Sequence, residues 1–305
     1  VRITYPSSLQ SGVRMTTKKP TLSARERYEE RLAWLFVLPV VLGIAIFQVY
    51  PTLFSLYASL TQWNLLSPPR WVGMRNYREL FTTDRFFFQT MGNTGTYTLG
   101  VVIPAMILAL VFAILLNQEI RGKYLYRAIY FVPVIAPAVA VALLWGWLYE
   151  PNFGIINSAL RAIGIKGPAW LGNTKWAMTA VIIESIWAGL GFNIVIFLSG
   201  LQGISREYYE AAAMDGAGFF RQFYSITLPL LSPVTFFILV TGVIGTFQDF
   251  TVPFIMTGGG PAGATQLVVM YLYGLAFRLQ NMGTASAVAY VVFLVIVTLT
   301  VLNFV

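Results

Sequence analysis

Two carboxylic acids lie inside long apolar stretches of the chain. Glu184 falls in the apolar run 177–201 and Asp249 in the apolar run 230–256, each roughly 10 Å from the same surface at 1.5 Å per helical residue. Charged groups are costly in hydrocarbon and usually serve a function there. Each acid therefore either contacts a bound solute or only hydrogen-bonds a neighbouring helix, and a further alternative for Glu184 is contact with water at the interface.

Other polar and aromatic residues accompany the two acids at similar depth. Gly242, Thr246 and Asp249 follow the i, i+4, i+7 spacing of a single helical face. Gly189 and Gly242 have an alternative role, because small residues let membrane helices pack closely. The predicted solute-binding residues are Glu184, Trp187, Gly189, Phe192, Asn193, Thr246, Gln248 and Asp249.

Several kinds of chemistry are excluded by the residues that the chain lacks. It has no cysteine and no histidine, so it offers no disulfide, no thiolate nucleophile and no imidazole base or metal ligand. It also lacks a Gly-x-x-x-x-Gly-Lys-Ser/Thr loop, so we do not expect it to hydrolyse ATP itself. The acids are too scattered to predict a metal site. An enzyme that uses a pair of carboxylates stays open.

The composition is that of a membrane protein. Of the 305 residues, 57% are hydrophobic and 10% are charged, against roughly 25% charged in a soluble domain. The net charge is +8, and seven of the 20 basic residues fall within the first 31 positions. This clustering favours the membrane surface as the partner of the basic residues over nucleic acid.

Hydropathy predicts an all-α, polytopic membrane protein with six transmembrane helices. Residues 1–22 are expected to form a mobile basic cytoplasmic tail, and 23–305 a transmembrane domain that begins at a capping box, Ser23 to Glu26. Pro133 and Pro137 are expected to kink the third helix. The six spans are 32–60, 91–116, 128–149, 177–201, 230–256 and 285–305.

Six spans place both termini on one side of the membrane. The tail, the turn 118–127 and the stretch 203–229 share twelve basic residues, whereas the other three loops share eight. The positive-inside rule therefore favours a cytoplasmic N-terminus.

The polar stretch 203–229 separates the fourth span from the fifth. Ser205 can cap a helix, with Glu207 and Glu210 in its first turns, where negative charge suits the helix dipole. Glycine tolerates a positive φ without steric cost, so Gly216 marks a break before a second short helix, 217–227. Pro229 would lie near the first turn of the next span. The stretch predicts a helix–turn–helix outside the membrane.

The same stretch resembles the EAA loop of ABC-importer permeases. The family pattern is Glu-Ala-Ala, then Gly four residues later, then Ile-x-Leu-Pro. The alternative is an ordinary amphipathic helix with an alanine-rich start, but seven positions match the pattern. The resemblance implies an ATPase-coupling set made of Glu210, Ala211, Ala212, Asp215, Gly216, Ile226, Leu228 and Pro229.

A wider resemblance covers about residues 30–305 and is to carbohydrate-importer permeases of the maltose and glycerol-phosphate type. It is carried by Tyr50-Pro51, Ser55-Leu56, Trp63, Val72-Gly73, Asn76-Tyr77, Thr265, Tyr273 and Phe277. It implies a type I importer fold in a bacterial or archaeal cell membrane. The implied partners are a second permease, two cytoplasmic ATPase subunits and an external binding protein. ATP and Mg would lie on the ATPases, with no cofactor on this chain.

The implied substrate is a neutral di- or oligosaccharide, because acids without a deep basic residue disfavour an anion. The family's sugar-lining positions match Val134, Ala138, Gly189, Phe192, Thr246 and Asp249, of which the first two offer no hydrogen-bonding side chain. The alternative transport class is a secondary transporter, which predicts repeated spans with broken helices. The sequence shows no convincing repeat.

Overall fold

The structure is a computed structural model that describes residues 24–118 and 122–302, in two compact units, 1–54 and 55–305. The described part of the first unit is helical: α1 (Ala24–Ile44), a π-helical turn (Ala45–Val49) and the first residues of α2 (Tyr50–Ser59). Arg25 and Glu29 form an exposed ion pair on α1. The predicted cap Ser23 and the tail 1–22 lie outside the described residues.

The second unit contains the remaining elements. A small ribbon pairs β1 (Thr61–Gln62) antiparallel with β2 (Arg70–Trp71) and leads into α3 (Arg75–Thr82). The helices that follow are α4 (Arg85–Leu116), α5 (Lys123–Ile135), α6 (Ala138–Leu148), α7 (Ile155–Ala162) and α8 (Ala177–Gln202). Next come α9 (Arg206–Met214), α10 (Phe219–Gln222), a π-helical turn (Phe223–Thr227) and α11 (Leu228–Leu230). The last are α12 (Ser232–Phe247), α13 (Thr251–Thr257), α14 (Val268–Tyr273), a π-helical turn (Gly274–Arg278) and α15 (Met282–Leu302).

The described residues contain four helices long and apolar enough to cross a membrane, or six spans if two bent pairs each count as one. The four are Leu32–Ser59, Arg85–Leu116, Ala177–Gln202 and Met282–Leu302. The bent pairs are Ala128–Ile135 with Ala138–Leu148, at 109°, and Phe219–Leu230 with Ser232–Phe247, at 62°. The predicted all-α membrane fold is confirmed.

The predicted kink in the third span and the predicted start of the second span are wrong, each for a local reason. The third span is broken rather than kinked, because Ala136 is extended at ψ 141°, as a residue before proline prefers. The second span begins at Arg85 instead of residue 91. Asp84 starts it by accepting a hydrogen bond from the backbone N–H of Phe87 at 3.0 Å.

Close packing of α4, α5, α8 and α12 forms the centre of the second unit. Ala109 and Ala113 on α4 are fully buried and belong to one apolar cluster with Ile194 and Phe197 on α8. α5 approaches α8 at Gly191, where an added Cβ would lie 2.2 Å from the backbone oxygen of Tyr130. Small residues thus set the distance between these helices.

We predict that Gly191→Ala destabilises the protein, because its methyl group would meet a backbone oxygen that cannot rotate away. Overpacking of this kind costs about 1–3 kcal/mol. The apparent melting temperature of the detergent-solubilised protein should fall by several degrees.

Gly95→Ala on α4 is the matched control, because nothing lies within 4 Å of an added Cβ there. Its melting temperature should stay the same or rise, since Ala favours a helix by about 1 kcal/mol over Gly. Equal effects of the two substitutions would contradict the packing argument.

Candidate functional site

A cavity of about 350 Å³ lies between α4, α8 and α12. Tyr97 and Val101 come from α4, and Asp249 comes from the short break between α12 and α13. The cavity is also lined by Glu184, Ser185, Gly189, Phe192, Asn193, Thr241, Gly242 and Thr246. Six of the eight residues predicted from the sequence to contact a solute therefore line one cavity.

A chain of hydrogen bonds joins the two acids across three elements. The Tyr97 hydroxyl donates to the Asp249 carboxylate and lies 2.9 Å from the Ser185 hydroxyl. Ser185 in turn lies 3.1 Å from Oε2 of Glu184. The two hydroxyls carry one proton each, and Ser185 also lies 2.9 Å from the Val181 oxygen, so all three contacts are hydrogen bonds only when one of the acids is protonated. The hydrogen bond from Tyr97 to Asp249 ties α4 to the α12–α13 break.

Glu184 keeps one oxygen uncommitted. The residue is fully buried, and its Oε1 has no hydrogen-bond partner in the part of the chain that the structure describes. Buried polar atoms are nearly always hydrogen-bonded, and each exception requires an explanation. Glu184 is therefore the buried acid of this cavity whose hydrogen bonding is incomplete within the described residues.

Asp249 is not on a helical face, contrary to the prediction. α12 ends at Phe247, Gln248 has φ −99° and ψ 0°, and α13 begins only at Thr251. The apolar run continues through both helices and so conceals the break. Thr246 uses its hydroxyl on the Gly242 carbonyl of its own helix, at 2.8 Å.

Two predicted residues lie elsewhere. Trp187 packs edge-on against Trp145, with ring centroids 5.6 Å apart, and Gln248 is exposed; neither lines the cavity. Val134 and Ala138, the sites carried over by resemblance, are also absent from its lining.

Tyr97 and Ser185 were not predicted from the sequence. Tyr97 stands in an apolar run, and Ser185 is a small residue next to a more prominent acid. The cluster Asn93, Thr94, Tyr97 and Thr98 on α4 was the available signal, because these polar groups recur within one and a half helical turns.

The cavity is acidic. Among the lining residues Glu184 and Asp249 are the ionisable carboxylates, and no Lys or Arg is among them. Opposite charges stabilise one another and like charges repel, so this lining disfavours an anionic ligand. The described residues contain no group of three acidic side chains placed to hold a metal ion.

The polar stretch after α8 forms the expected helix–turn–helix. Ser205 caps α9 by accepting from the N–H of Glu207 at 3.4 Å. Gly216 has φ +77°, and the N–H of Ala217 closes the turn onto the Ala212 oxygen at 2.9 Å. The second helix starts at Phe219, not at residue 217, because Gly218 is extended.

This helix–turn–helix presents a largely exposed surface. Met214 is 90% exposed and Phe220 75% exposed, and Glu210, Ala211 and Asp215 are exposed as well. Large exposed apolar side chains mark interaction sites. On the inner side the Tyr209 hydroxyl lies 2.9 Å from Thr227 Oγ1, so α9 is fastened to the π-helical turn. A pocket lined by Asn117 and Tyr209 among others places the stretch beside the end of α4.

Comparison with known proteins gives one family. A model of the binding-protein-dependent transport system inner membrane component matches residues 105–305. The trehalose/maltose transport system permease protein MalF of Thermococcus litoralis is 32% identical over 282 residues, covering 92% of this chain and 95% of that protein. The lactose transport system permease protein LacF of Rhizobium radiobacter is 35% identical over 289 residues, covering 92% and 96%.

A solved structure has the same fold. It is the crystal structure of a bacterial alginate ABC transporter in complex with an alginate pentasaccharide-bound periplasmic protein. One of its chains superposes with a TM-score of 0.80 at 20% identity, covering 92% of this chain and 94% of that one. The resemblance to ABC-importer permeases, drawn from the EAA pattern, is thus confirmed. By sequence and by fold, the chain belongs to the binding-protein-dependent transport system inner membrane components, a family of transport permeases and not of enzymes.

Proposed function

We propose that this chain is the permease subunit through which an ATP-driven importer moves a neutral di- or oligosaccharide across the cell membrane. The observation that carries the proposal is the cavity in which Tyr97, Glu184 and Asp249 converge without a basic residue. Sugar hydroxyls both donate and accept. Carboxylate oxygens accept from them, and the Tyr97 hydroxyl, which donates its proton to Asp249, can accept as well.

The charge of the lining supports a neutral ligand. A phosphorylated or uronic sugar would bring a negative charge beside two carboxylates, which the lining does not compensate. Relatives of more than 30% identity are named for neutral substrates, trehalose/maltose and lactose, and also for an anionic one, sn-glycerol-3-phosphate, so the charge of the lining carries the choice of a neutral sugar. Phe192, 51% exposed at the wall, offers an aromatic face to the apolar side of a sugar ring.

The EAA loop is the coupling element of this proposal. Its exposed surface would fit a cytoplasmic ATPase subunit, on which ATP and Mg are bound. The proposed contact and support residues are Glu210, Ala211, Ala212, Asp215, Gly216, Ile226, Leu228 and Pro229. Closure of the two ATPase subunits would draw this loop toward the EAA loop of a second permease. The cavity would then switch from facing the cytoplasm to facing the outside.

The proposed orientation puts the EAA loop and the N-terminus in the cytoplasm. In support, the loop lies at the same end of the helical bundle as the α4–α5 turn, which carries basic residues in the sequence. The opposite end, formed by the β-ribbon and the turn 258–267, would then meet an external binding protein.

We predict that Gly216→Val abolishes uptake while membrane insertion is retained. The residue has φ +77°, which a β-branched side chain adopts poorly. Uptake and the amount of ATPase that copurifies with the permease should both fall. Gly218→Val is the matched control, since Gly218 has φ −73° and nothing within 4 Å of an added Cβ. Normal uptake and normal copurification in Gly216→Val would remove the coupling assignment.

We predict that Asp249→Asn weakens the apparent affinity for the sugar several-fold. A charged acceptor contributes roughly 1.5–3 kcal/mol, against about 1 for a neutral one, so the loss is of order 1 kcal/mol. Asp249→Leu should reduce affinity further by removing the acceptor. The measurement is uptake per assembled complex over a series of sugars. Unchanged affinity and preference in both variants would exclude Asp249 as a sugar ligand.

We predict that Tyr97→Phe changes sugar affinity, whereas Tyr149→Phe does not. Both hydroxyls are buried, and the Tyr149 hydroxyl donates to the Ala180 oxygen at 3.1 Å, outside the cavity. Each loss should lower stability by about 1 kcal/mol. Only Tyr97 also orients Asp249, so its variant should raise the apparent KM for uptake as well. A shift of KM by both variants, or by neither, would show that Tyr97 is merely structural.

A further inference from the structure

A second polar pocket lies at the end of the bundle opposite the EAA loop. Its volume is about 270 Å³, and its walls are β1, α3 and the start of α15. The EAA loop adjoins the last turn of α4, whereas α3 directly precedes the first turn of α4. No residue of this pocket lines the cavity described above, so the two sites are separate.

The walls of this outer pocket are held rigidly. The Asn76 side chain, itself buried, donates to the backbone oxygens of Ser59 and Thr61, each at 2.8 Å. The Trp63 oxygen accepts from the N–H of Met282 at 2.9 Å. At Gly283 an added Cβ would lie 2.0 Å from the Thr61 oxygen, so α15 meets β1 without a gap. Such preorganisation reduces the entropy that a ligand must overcome.

The pocket offers both donors and acceptors and carries no net charge. Arg75 and Glu79 form an ion pair of 2.7 Å at its rim. The other polar groups are the amides of Gln62, Asn64, Gln280 and Asn281 and the hydroxyl of Thr284. The side chains of Gln62 and Gln280 are exposed and line the pocket, so each can present a donor and an acceptor to a ligand.

Gln280 also holds an uncommon backbone conformation. Its φ is +51°, in the left-handed region that favours glycine, although it carries a long side chain. Residues of this kind persist where their surroundings fix them, and they cluster at ligand sites. The conformation keeps the amide of Gln280 at the wall of the pocket, between Leu279 and Asn281.

We propose that this outer pocket binds one ring of a neutral sugar, ahead of and apart from the central cavity. That the ligand is a sugar rests on the proposed function. Trp63, Val72 and Leu279 supply apolar surface for the C–H face of a ring, and the amides and the ion pair surround it with partners for hydroxyls. The volume suits one ring, so the rest of an oligosaccharide would extend out of the pocket.

A protein side chain is the competing occupant, and the lining disfavours it. The centre of a protein interface is typically apolar and depleted in charged residues. Here an ion pair and five amide side chains, the four above and Asn76, dominate the lining. A loop of an external binding protein is therefore an outcome of the test and not the proposal.

The test measures sugar binding to the assembled importer in lipid nanodiscs without the binding protein. Saturation-transfer NMR is recorded with maltose, trehalose and methyl α-glucoside, in the wild type and in an Asp249→Leu background that weakens sugar binding in the central cavity. The Asp249→Leu protein should still bind a sugar. Thr284→Val and Gln280→Asn, added to it, should weaken that binding at least about fivefold, the loss expected for one hydrogen bond.

The two substitutions preserve the local structure. Valine has the shape of threonine without its hydroxyl, and asparagine tolerates the positive φ of Gln280 while withdrawing the amide. Thr284→Ser keeps the hydroxyl and should bind as its parent does. Uptake by the Asp249→Leu variant tests the central cavity, whereas sugar binding by the Thr284 and Gln280 variants tests the outer pocket. The two assignments can therefore fail independently.

The proposal is overturned if none of the three sugars binds in the Asp249→Leu background. It is equally overturned if binding is unchanged by Thr284→Val and Gln280→Asn. Unchanged sugar binding together with weaker docking of the binding protein would assign the pocket to protein contact instead.

Discussion

The burial of two carboxylates in an apolar helical bundle is the constraint on which the other features depend. Such groups are costly away from water unless hydrogen bonds compensate them. Tyr97 on α4 donates a hydrogen bond to Asp249, which lies in the break after α12. Ser185 on α8 lies within hydrogen-bond distance of Glu184. The three elements must therefore meet at one level. Small buried residues further along, such as Ala109 and Ala113, then allow the helices to remain in contact.

The same constraint accounts for the broken helix beside the cavity. A helix carries its side chains outward at fixed angles, so an unbroken α12 would hold Asp249 on the face shared with Gly242 and Thr246. Ending α12 at Phe247 releases Asp249 to reach the Tyr97 hydroxyl instead. Irregular backbone at membrane depth is tolerated where protein or a wet cavity surrounds it. The break lies at the wall of the cavity, where that condition is met.

Features that depend on neighbouring residues could be predicted from the sequence, whereas features that depend on distant contacts could not. Ser205 and Gly216 act on their own neighbours, so the cap and the positive φ of the EAA loop could be predicted from sequence. Pro137 predicted an irregularity in the third span, but its size, 109°, depends on packing that no short stretch encodes.

Side-chain partners were the hardest feature to predict. Trp187 and Phe192 both follow Glu184 in the apolar run, yet Trp187 packs on Trp145 while Phe192 lines the cavity. Periodicity orders side chains around a helix but does not say which neighbour each face meets. Tyr97 was not predicted as a cavity residue for the same reason, because its role depends on the hydrogen bond to Asp249, which is distant in sequence.

The cavity and the EAA loop are connected by α8, which is continuous, and by the bent pair of α11 and α12. α8 carries Glu184 into the cavity and ends at Gln202, directly before the EAA loop, so about 27 Å of helix separates the acid from the loop. On the other side of the loop, α11 and α12 lead back to Thr246. A displacement of the loop would therefore act on both walls of the cavity, through α8 on one side and through the bent pair α11–α12 on the other. Because Tyr97 stands on α4, outside this pair of helices, its hydrogen bond to Asp249 is a contact that such a displacement would strain or break. The polar network that the buried acids require is thus also placed to respond when the loop moves.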